Sequence, residues 1–137
     1  MIERTSTARW EGTLRTGKGS IALGSGGLSS PFTFASRFES GAGTNPEELL
    51  GAALAGCFSM ALAAGLEKAG HPASVVDTTC KVEFEAGIRR FALTCRAAVP
   101  GVEPAAFARL AEETKSGCHV AKALSAVEIT LDARLDG

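Results

Sequence analysis

One apolar stretch, TNPEELLGAALAGCFSMALAAGLEKAG at residues 44–70, decides how this chain folds. Pro46 suits the first position of a helix, and Asn45 before it is a favourable N-cap. Glu48 stands where a capping box places its acidic residue. The apolar run stops at Gly70, and a proline follows two residues later, as is typical after a helix C-terminus. The pattern predicts one long helix over this stretch.

This predicted helix carries no charged residue between Leu49 and Leu66. A helix that is hydrophobic all round is buried in protein or in lipid, and the run reaches the lower limit for a membrane span. Its many alanines and glycines, its acidic first turn and the lack of basic flanks argue against a span. We therefore expect a buried central helix and no membrane partner.

The central helix is also unusually rich in small residues, which let a second backbone approach closely. They are Gly51, Ala52, Ala55, Gly56, Ala63 and Ala64. At 1.5 Å per residue the helix is about 35 Å long, and the rest of a short chain cannot surround it. We expect the helix of a second copy to complete the cover, which makes the protein an obligate homodimer.

Composition narrows the class of protein. A chain of 137 residues fits a single domain, residues 1–137. A net charge of −1 gives no reason to expect nucleic acid. The N-terminal MIERTSTARW has no apolar signal core, which predicts a cytoplasmic protein. Four widely spaced cysteines do not suggest a disulfide scaffold or a zinc site, and no motif for another cofactor appears.

The remaining segments alternate between apolar and polar residues, which predicts strands, or show helical spacing. Strands are predicted at Thr7–Leu14, Ser20–Leu23, Pro31–Glu39, Val75–Glu85, Ile88–Val99 and Val127–Leu135, with an amphipathic helix at Pro104–Ser116 and a short helical turn from Cys118. Hairpins separated by helices indicate an α+β fold with largely antiparallel sheets.

Two of the four cysteines are candidates for chemistry. Cys80 and Cys95 lie on apolar strand faces, where a free cysteine is usually an inert core residue. Cys57 lies inside the central helix and is either a core residue or a reactive thiol. Cys118 follows Gly117 at the start of a helical turn, where free N–H groups favour a thiolate.

Several charged or titratable side chains elsewhere in the sequence allow more than one interpretation. Arg37 is either a solvated residue of a strand or a functional cation. Glu47 lies in the first turn of the central helix, where the helix dipole favours a carboxylate. His71 lies in a turn, and His119 adjoins Cys118, but one neighbouring histidine does not make a catalytic dyad.

Several segments together resemble the OsmC/Ohr family of osmotically induced and organic-hydroperoxide-resistance proteins. The main one is GTNPEELLGAALAGCFSMAL at 43–62, and the others, in the same order as in the OsmC branch, are ARWEG at 8–12, SRFE at 36–39, KSGC at 115–118 and EITLDARL at 128–135. The resemblance covers essentially the whole chain. It implies an OsmC-like α+β fold in an intertwined homodimer whose two central helices pack together.

The resemblance also implies a function: a thiol peroxidase that reduces organic hydroperoxides, and hydrogen peroxide more weakly, in defence against oxidative stress. By motif, Cys57 is similar to the peroxidatic cysteine and Cys118 to the resolving one, joined in a disulfide that a dithiol such as a dihydrolipoyl protein reopens. Arg37 and Glu47 match the active-site arginine and carboxylate. Arg15 is the alternative, because the Ohr branch takes its arginine from the first strand pair.

Residue-level physics agrees with these roles. Glu47 and Cys57 are ten residues apart, about 15 Å along a straight helix, so the helix dipole does not activate Cys57. A guanidinium must stabilise the thiolate, and Glu47 can hold Arg37 by a bidentate pair. We therefore expect Arg37 and Glu47 of one subunit to serve the Cys57 of the other. Apolar neighbours, namely Phe58, Met60 and Trp10, would favour alkyl hydroperoxides.

A second class of function is a non-catalytic dimer of the same fold that binds a small ligand in its apolar pocket and leaves Cys57 idle. Packing alone does not require Cys57, Cys118, Arg37 and Glu47 together, which favours the peroxidase. One local departure from the family is His119 and Ala121, where the family often has Pro and Ser.

Overall fold

The computed structural model describes residues 1–136 and has the predicted α+β architecture. Its elements are β1 Ser6–Glu11, β2 Lys18–Leu23, β3 Ser29–Phe32, α1 Phe34–Phe38, α2 Pro46–Lys68, β4 Val75–Phe84, β5 Ile88–Ala98, α3 Pro104–Gly117, α4 His119–Ala123 and β6 Glu128–Asp136. The chain divides into two compact units, Met1–Leu49 and the residues from Leu50 onward. A single domain over the whole chain stays a prediction.

The first unit is built on a three-stranded antiparallel sheet in the order β1-β2-β3. Trp10 of β1 and Phe32 of β3 both lie opposite Gly19 of β2, and their rings pack with centroids 5.2 Å apart. A Cβ on Gly19 would come within 2.5 Å of the Phe32 ring and 2.6 Å of the Trp10 ring. Glycine is therefore what allows the two rings to meet.

The predicted strand at Pro31–Glu39 is wrong in its second half, which forms helix α1. Thr33 caps this helix: its hydroxyl oxygen accepts from the N–H of Ser36 at 3.1 Å. The hydroxyl oxygen of Ser36 accepts in return from the N–H of Thr33 at 2.8 Å. This capping box outweighs the strand-like alternation of the phenylalanines. Arg37 therefore lies on a helix and not on a strand.

Helix α2 begins and ends at the predicted residues. The side-chain oxygen of Asn45 accepts from the N–H of Glu48 at 2.7 Å, which confirms the N-cap. At the other end, Gly70 adopts a φ of +89°, and the N–H of His71 donates to the carbonyl of Leu66 at 2.9 Å. These are the marks of a Schellman C-cap, and they need a glycine at that position.

Only one side of α2 is covered within a single chain. The residues on this side, all fully buried, are Leu54, Phe58, Leu62 and Leu66. A second row of residues, spaced four apart, lies exposed on the same helix: Ala52, Gly56, Met60 and Ala64. We call these four residues the small-residue row, because three of them are alanine or glycine. Enclosure of the helix on all sides, as expected from its apolar sequence, stays a prediction.

By length and composition, α2 also meets the criteria for a membrane-spanning helix, with 28% of its most apolar window buried. The core helix of a soluble protein meets the same criteria, so this is weak evidence for a membrane. The acidic first turn and the covered side both favour packing against protein.

The second unit contains a sheet in the order β4-β5-β6. Strands β4 and β5 form the predicted antiparallel hairpin, and its turn places Gly87 at a φ of +126°. Strand β6 pairs parallel to β5, and α3 and α4 form the crossover between them. Three of the four strand pairings are antiparallel, as predicted. The predicted inward face of β5 is confirmed by the burial of Phe91, Leu93, Cys95 and Ala97.

Candidate redox site

Cys57 and Cys118 face one another in the second unit. They line an open cavity of about 410 Å³ whose other lining residues are Met60, Ala61, Gly117 and His119. Burial raises the pKa of the Cys118 thiol, and the neighbouring Cys57 thiol raises it further. Both are free thiols. The two cysteines are sixty-one positions apart in the chain, yet both line the same cavity. A reversible disulfide requires two thiols that are brought together in this way.

Cys118 lies at the junction of two helices, as predicted. Its N–H donates to the carbonyl of Thr114 at 3.2 Å, which ends α3, and its own carbonyl accepts from the N–H of Lys122 at 3.0 Å, which begins α4. Burial raises the pKa of its thiol. The N–H groups of Ala121 and Val120 partly oppose this effect, although neither makes a capping hydrogen bond to the sulfur. The predicted thiolate-favouring effect exists but is outweighed by burial.

Cys57 lies on α2 and is half-buried, between the covered side of the helix and the small-residue row. The expectation that Phe58 surrounds the reactive sulfur is wrong, because its ring is fully buried in the core. Met60 does line the cavity and is 78% exposed. The apolar character of the cavity therefore comes from Met60 and Ala61.

Arg37 and Glu47 form an ion pair in the first unit. The Nε atom of Arg37 donates to the two carboxylate oxygens of Glu47 at 3.1 and 3.3 Å, and Nη2 donates to Oε2 at 2.9 Å. The Glu47 side chain is only 7% exposed, against 40% for Arg37. These hydrogen bonds raise the pKa of Arg37. The predicted bidentate pair is therefore present.

The backbone around this ion pair is held by side-chain hydrogen bonds that join α1 to the start of α2. Ser36 donates from its hydroxyl to the carbonyl of Thr44 at 2.8 Å. Asn45 donates from its amide to the carbonyl of Ser36 at 3.1 Å. Thr44 donates to the carboxylate of Glu48 at 2.7 Å. Glu48 thus serves the helix start, and Glu47 is left for Arg37.

Arg15, the alternative arginine, stacks instead on an aromatic ring. Its guanidinium carbon lies 4.6 Å from the centre of the Phe34 ring. Arg37 similarly lies 5.1 Å from the centre of the Phe38 ring. Arg37 thus binds the carboxylate of Glu47, whereas Arg15 contacts Phe34.

An aromatic pocket of about 210 Å³, lined in part by Arg37, was not predicted from the sequence. It is lined by Trp10, Leu14, Phe32, Thr33, Phe34, Arg37 and Phe38. The pocket exists because Phe34 and Phe38 stand one helical turn apart, with ring centroids at 5.0 Å. The signal that would have revealed it is Thr33 followed three residues later by Ser36, a pair able to cap a helix.

The other two cysteines behave as core thiols. Burial raises the pKa of both Cys80 and Cys95. The hydroxyl of Thr78 partly offsets this effect at Cys95, and Thr78 itself binds Ser59 at 2.7 Å. No cluster of potential metal ligands occurs within residues 1–136.

Known proteins resemble this chain along its whole length. The family model described as OsmC-like protein matches residues 39–132. Peroxiredoxin OsmC of Escherichia coli K12 is 44% identical over 140 residues, covering 98% of this chain and 97% of the relative. Peroxiredoxin OsmC of Shigella flexneri matches to the same extent.

Solved structures agree in fold. An organic hydroperoxide resistance protein OsmC from Legionella pneumophila superposes with a TM-score of 0.67 at 19% identity, covering 97% of both chains. The organic hydroperoxide resistance protein OhrB of Bacillus subtilis gives a TM-score of 0.63 at 18% identity, covering 96% of this chain and 98% of that one. The match to the family model over residues 39–132 and the 44% identity to Peroxiredoxin OsmC along nearly the full length show that the chain belongs to the OsmC-like family.

Proposed function

We propose that this protein is a two-cysteine peroxidase that reduces organic hydroperoxides, and hydrogen peroxide more weakly, in peroxide defence. The observation that carries the proposal is the placement of Cys57 and Cys118 on one open cavity. The name Peroxiredoxin OsmC, given to relatives 44% identical to this chain, supports a redox role against peroxides. A cytoplasmic location agrees with four free thiols.

The first step would take place at Cys57. Its thiolate attacks the distal oxygen of the hydroperoxide, the O–O bond breaks, and the leaving alkoxide takes a proton to become an alcohol. Cys57 becomes a sulfenic acid. Half-burial leaves this sulfur reachable from the cavity, and the apolar side chain of Met60 favours an alkyl group over water.

The second step would join the two sulfurs. The Cys118 sulfur attacks the sulfenic sulfur, the S–O bond breaks, and water leaves with the thiol proton. The placement of both thiols on one cavity supports direct attack of the Cys118 sulfur on the Cys57 sulfur. A dithiol reductant, by family resemblance a dihydrolipoyl protein, would then return both cysteines to thiols.

Arg37 and Glu47 would support the first step from a second subunit. Glu47 holds the guanidinium by three hydrogen bonds, and a fixed cation favours a thiolate and the negative charge that develops on the leaving oxygen. The exposed small-residue row on α2 supports a homodimer, since Gly56 and Ala52 allow another helix to approach closely.

The decisive experiment for the cycle is thiol mapping after one equivalent of cumene hydroperoxide, without oxygen. We expect two thiols to disappear and a peptide linked through Cys57 and Cys118 to form. Cys57→Ser should abolish both effects, whereas Cys80→Ser, a matched control on β4, should leave them intact. Survival of all four thiols without turnover would refute the peroxidase and favour a ligand-binding dimer of the same fold.

The shared site is tested by mixing two inactive variants, Arg37→Gln and Cys57→Ser, refolded together. If Arg37 serves the Cys57 of the partner subunit, each mixed dimer regains one intact site, and about a quarter of all sites become active in a random mixture. If Arg37 serves Cys57 of its own chain, no mixed dimer has an intact site. Recovery no greater than the sum of the separate variants would refute the shared arrangement.

A further inference from the structure

His119 occupies a position that the proposed cycle has not yet used. It is the first residue of α4, and it lines the same cavity as Cys57 and Cys118. Of the six residues around this cavity, it alone carries an imidazole. A neutral imidazole has one nitrogen that donates a proton and one that accepts a proton.

Disulfide formation has a proton problem at this cavity. Cys118 is buried, and its thiol holds its proton more tightly than a thiol in water. Only the thiolate is a good nucleophile. The hydroxyl that leaves the Cys57 sulfenic acid must at the same time gain a proton. A single group able to accept and then donate a proton would serve both needs.

We propose that His119 is the group that transfers this proton. Its neutral imidazole accepts the proton of Cys118 while the Cys118 sulfur bonds to the Cys57 sulfur and the S–O bond breaks. The imidazolium then gives that proton to the leaving hydroxyl, which departs as water. Atoms and charges balance, because one thiol and one sulfenic acid give one disulfide and one water. This inference rests on the proposed peroxidase function.

The elements around the cavity bring few charged side chains to it. α2 presents the Cys57 thiol and no charged side chain between Leu49 and Leu66. The charge of Lys115, in the last turn of α3, is paired with Glu112 at 2.6 Å. α4 carries Lys122. No carboxylate is among the residues that line the cavity.

The test is a single turnover in which two events are timed separately in the intact protein: sulfenic acid formation at Cys57, by trapping with dimedone, and disulfide formation, by mass. His119→Gln should form the sulfenic acid within about twofold of the wild-type rate and form the disulfide about 10²-fold more slowly. His71→Gln, which changes the other histidine of the chain, is the matched control and should alter neither rate. Added imidazole should restore part of the lost rate.

Rescue by added imidazole is a readout that a purely structural role would not change. His119→Asn, which also lacks an imidazole, should show the same slow disulfide step and the same rescue.

Equal disulfide rates in His119→Gln and His71→Gln, or no rescue of His119→Gln by added imidazole, would overturn the role of His119 while leaving the peroxidase intact. Failure of the wild type to form a sulfenic acid at Cys57 would instead refute the proposed function, and the inference with it.

Discussion

The ion pair between Arg37 and Glu47 can be tested quantitatively by a double-mutant cycle. Arg37→Gln leaves a carboxylate that is only 7% exposed without its guanidinium. Loss of one partner of a fully buried pair costs about 3–5 kcal/mol. Because 40% of the Arg37 side chain is exposed, water screens this pair, and we expect a cost of about 2 kcal/mol. Glu47→Gln keeps the shape and one acceptor, and should cost about 1 kcal/mol.

The double variant Arg37→Gln/Glu47→Gln removes both charges together. We expect it to be destabilised by about 1.5–2 kcal/mol, less than the sum of the single costs, because no buried charge is left unpaired. The assay is urea unfolding at one fixed protomer concentration, since the stability of the proposed homodimer would depend on concentration. Arg96→Gln is the control: its pair with Asp136 is 66% and 47% exposed, so about 0.5 kcal/mol or less is expected.

The same variants should separate structure from chemistry. Arg37→Gln removes the cation and should slow sulfenic acid formation at Cys57 about 10²-fold. Glu47→Gln leaves a less firmly held cation and should slow it by about tenfold. Single costs that add without coupling would refute the structural reasoning. Oxidation of Cys57 at the wild-type rate in Arg37→Gln would refute the catalytic reasoning.

Three further properties follow from other parts of the structure. Gly56→Leu should leave the fold of each chain intact, since outside the helix itself no atom lies within 4 Å of the added Cβ. If the proposed homodimer packs through the small-residue row, Gly56→Leu should convert it to monomer in sedimentation analysis, whereas Ala108→Leu, on the exposed side of α3, should leave it dimeric. Thr33→Ala removes the hydroxyl that caps α1 and should cost about 1 kcal/mol in urea unfolding. The pKa values of the Cys95 and Cys118 thiols are raised by burial. The folded state therefore retains protons that the unfolded chain releases, and stability should be constant below about pH 9 and fall above it; equal unfolding free energies at about pH 8 and pH 10 would contradict this.

Helix α2 shows what a sequence can predict. Its two ends are specified by local groups, an asparagine cap and a glycine C-cap, so both follow from residues a few positions apart. The alternating strands of the second unit are predicted for the same reason, because one face of β5 is apolar over four alternate positions. Predicting that Arg37 pairs with Glu47 and Cys57 with Cys118 also required the family resemblance. Spacing in the sequence alone does not show which distant segments meet.

Helix α1 shows where sequence reasoning fails. The spacing of Phe32, Phe34 and Phe38 fits the two-residue period of a strand. Only the Thr33–Ser36 capping pair favours a helix. Where these two local patterns compete over nine residues, the capping box outweighs the alternation, and the resulting helix places Phe34 and Phe38 in the pocket that Arg37 lines. The parallel pairing of β6 with β5 was likewise not predicted, because a strand pattern does not specify which neighbour it joins.

The parallel pairing of β5 and β6 has a consequence for how the protein is made. Cys118 lies in the crossover between these strands, so the segment that carries it is held at both ends only after β6 has been synthesised and has paired. On the ribosome, Cys57 emerges sixty-one residues before Cys118. A nascent chain that stops before β6 therefore lacks the fixed Cys118 on which the proposed disulfide depends, and only the full chain can complete the proposed cycle.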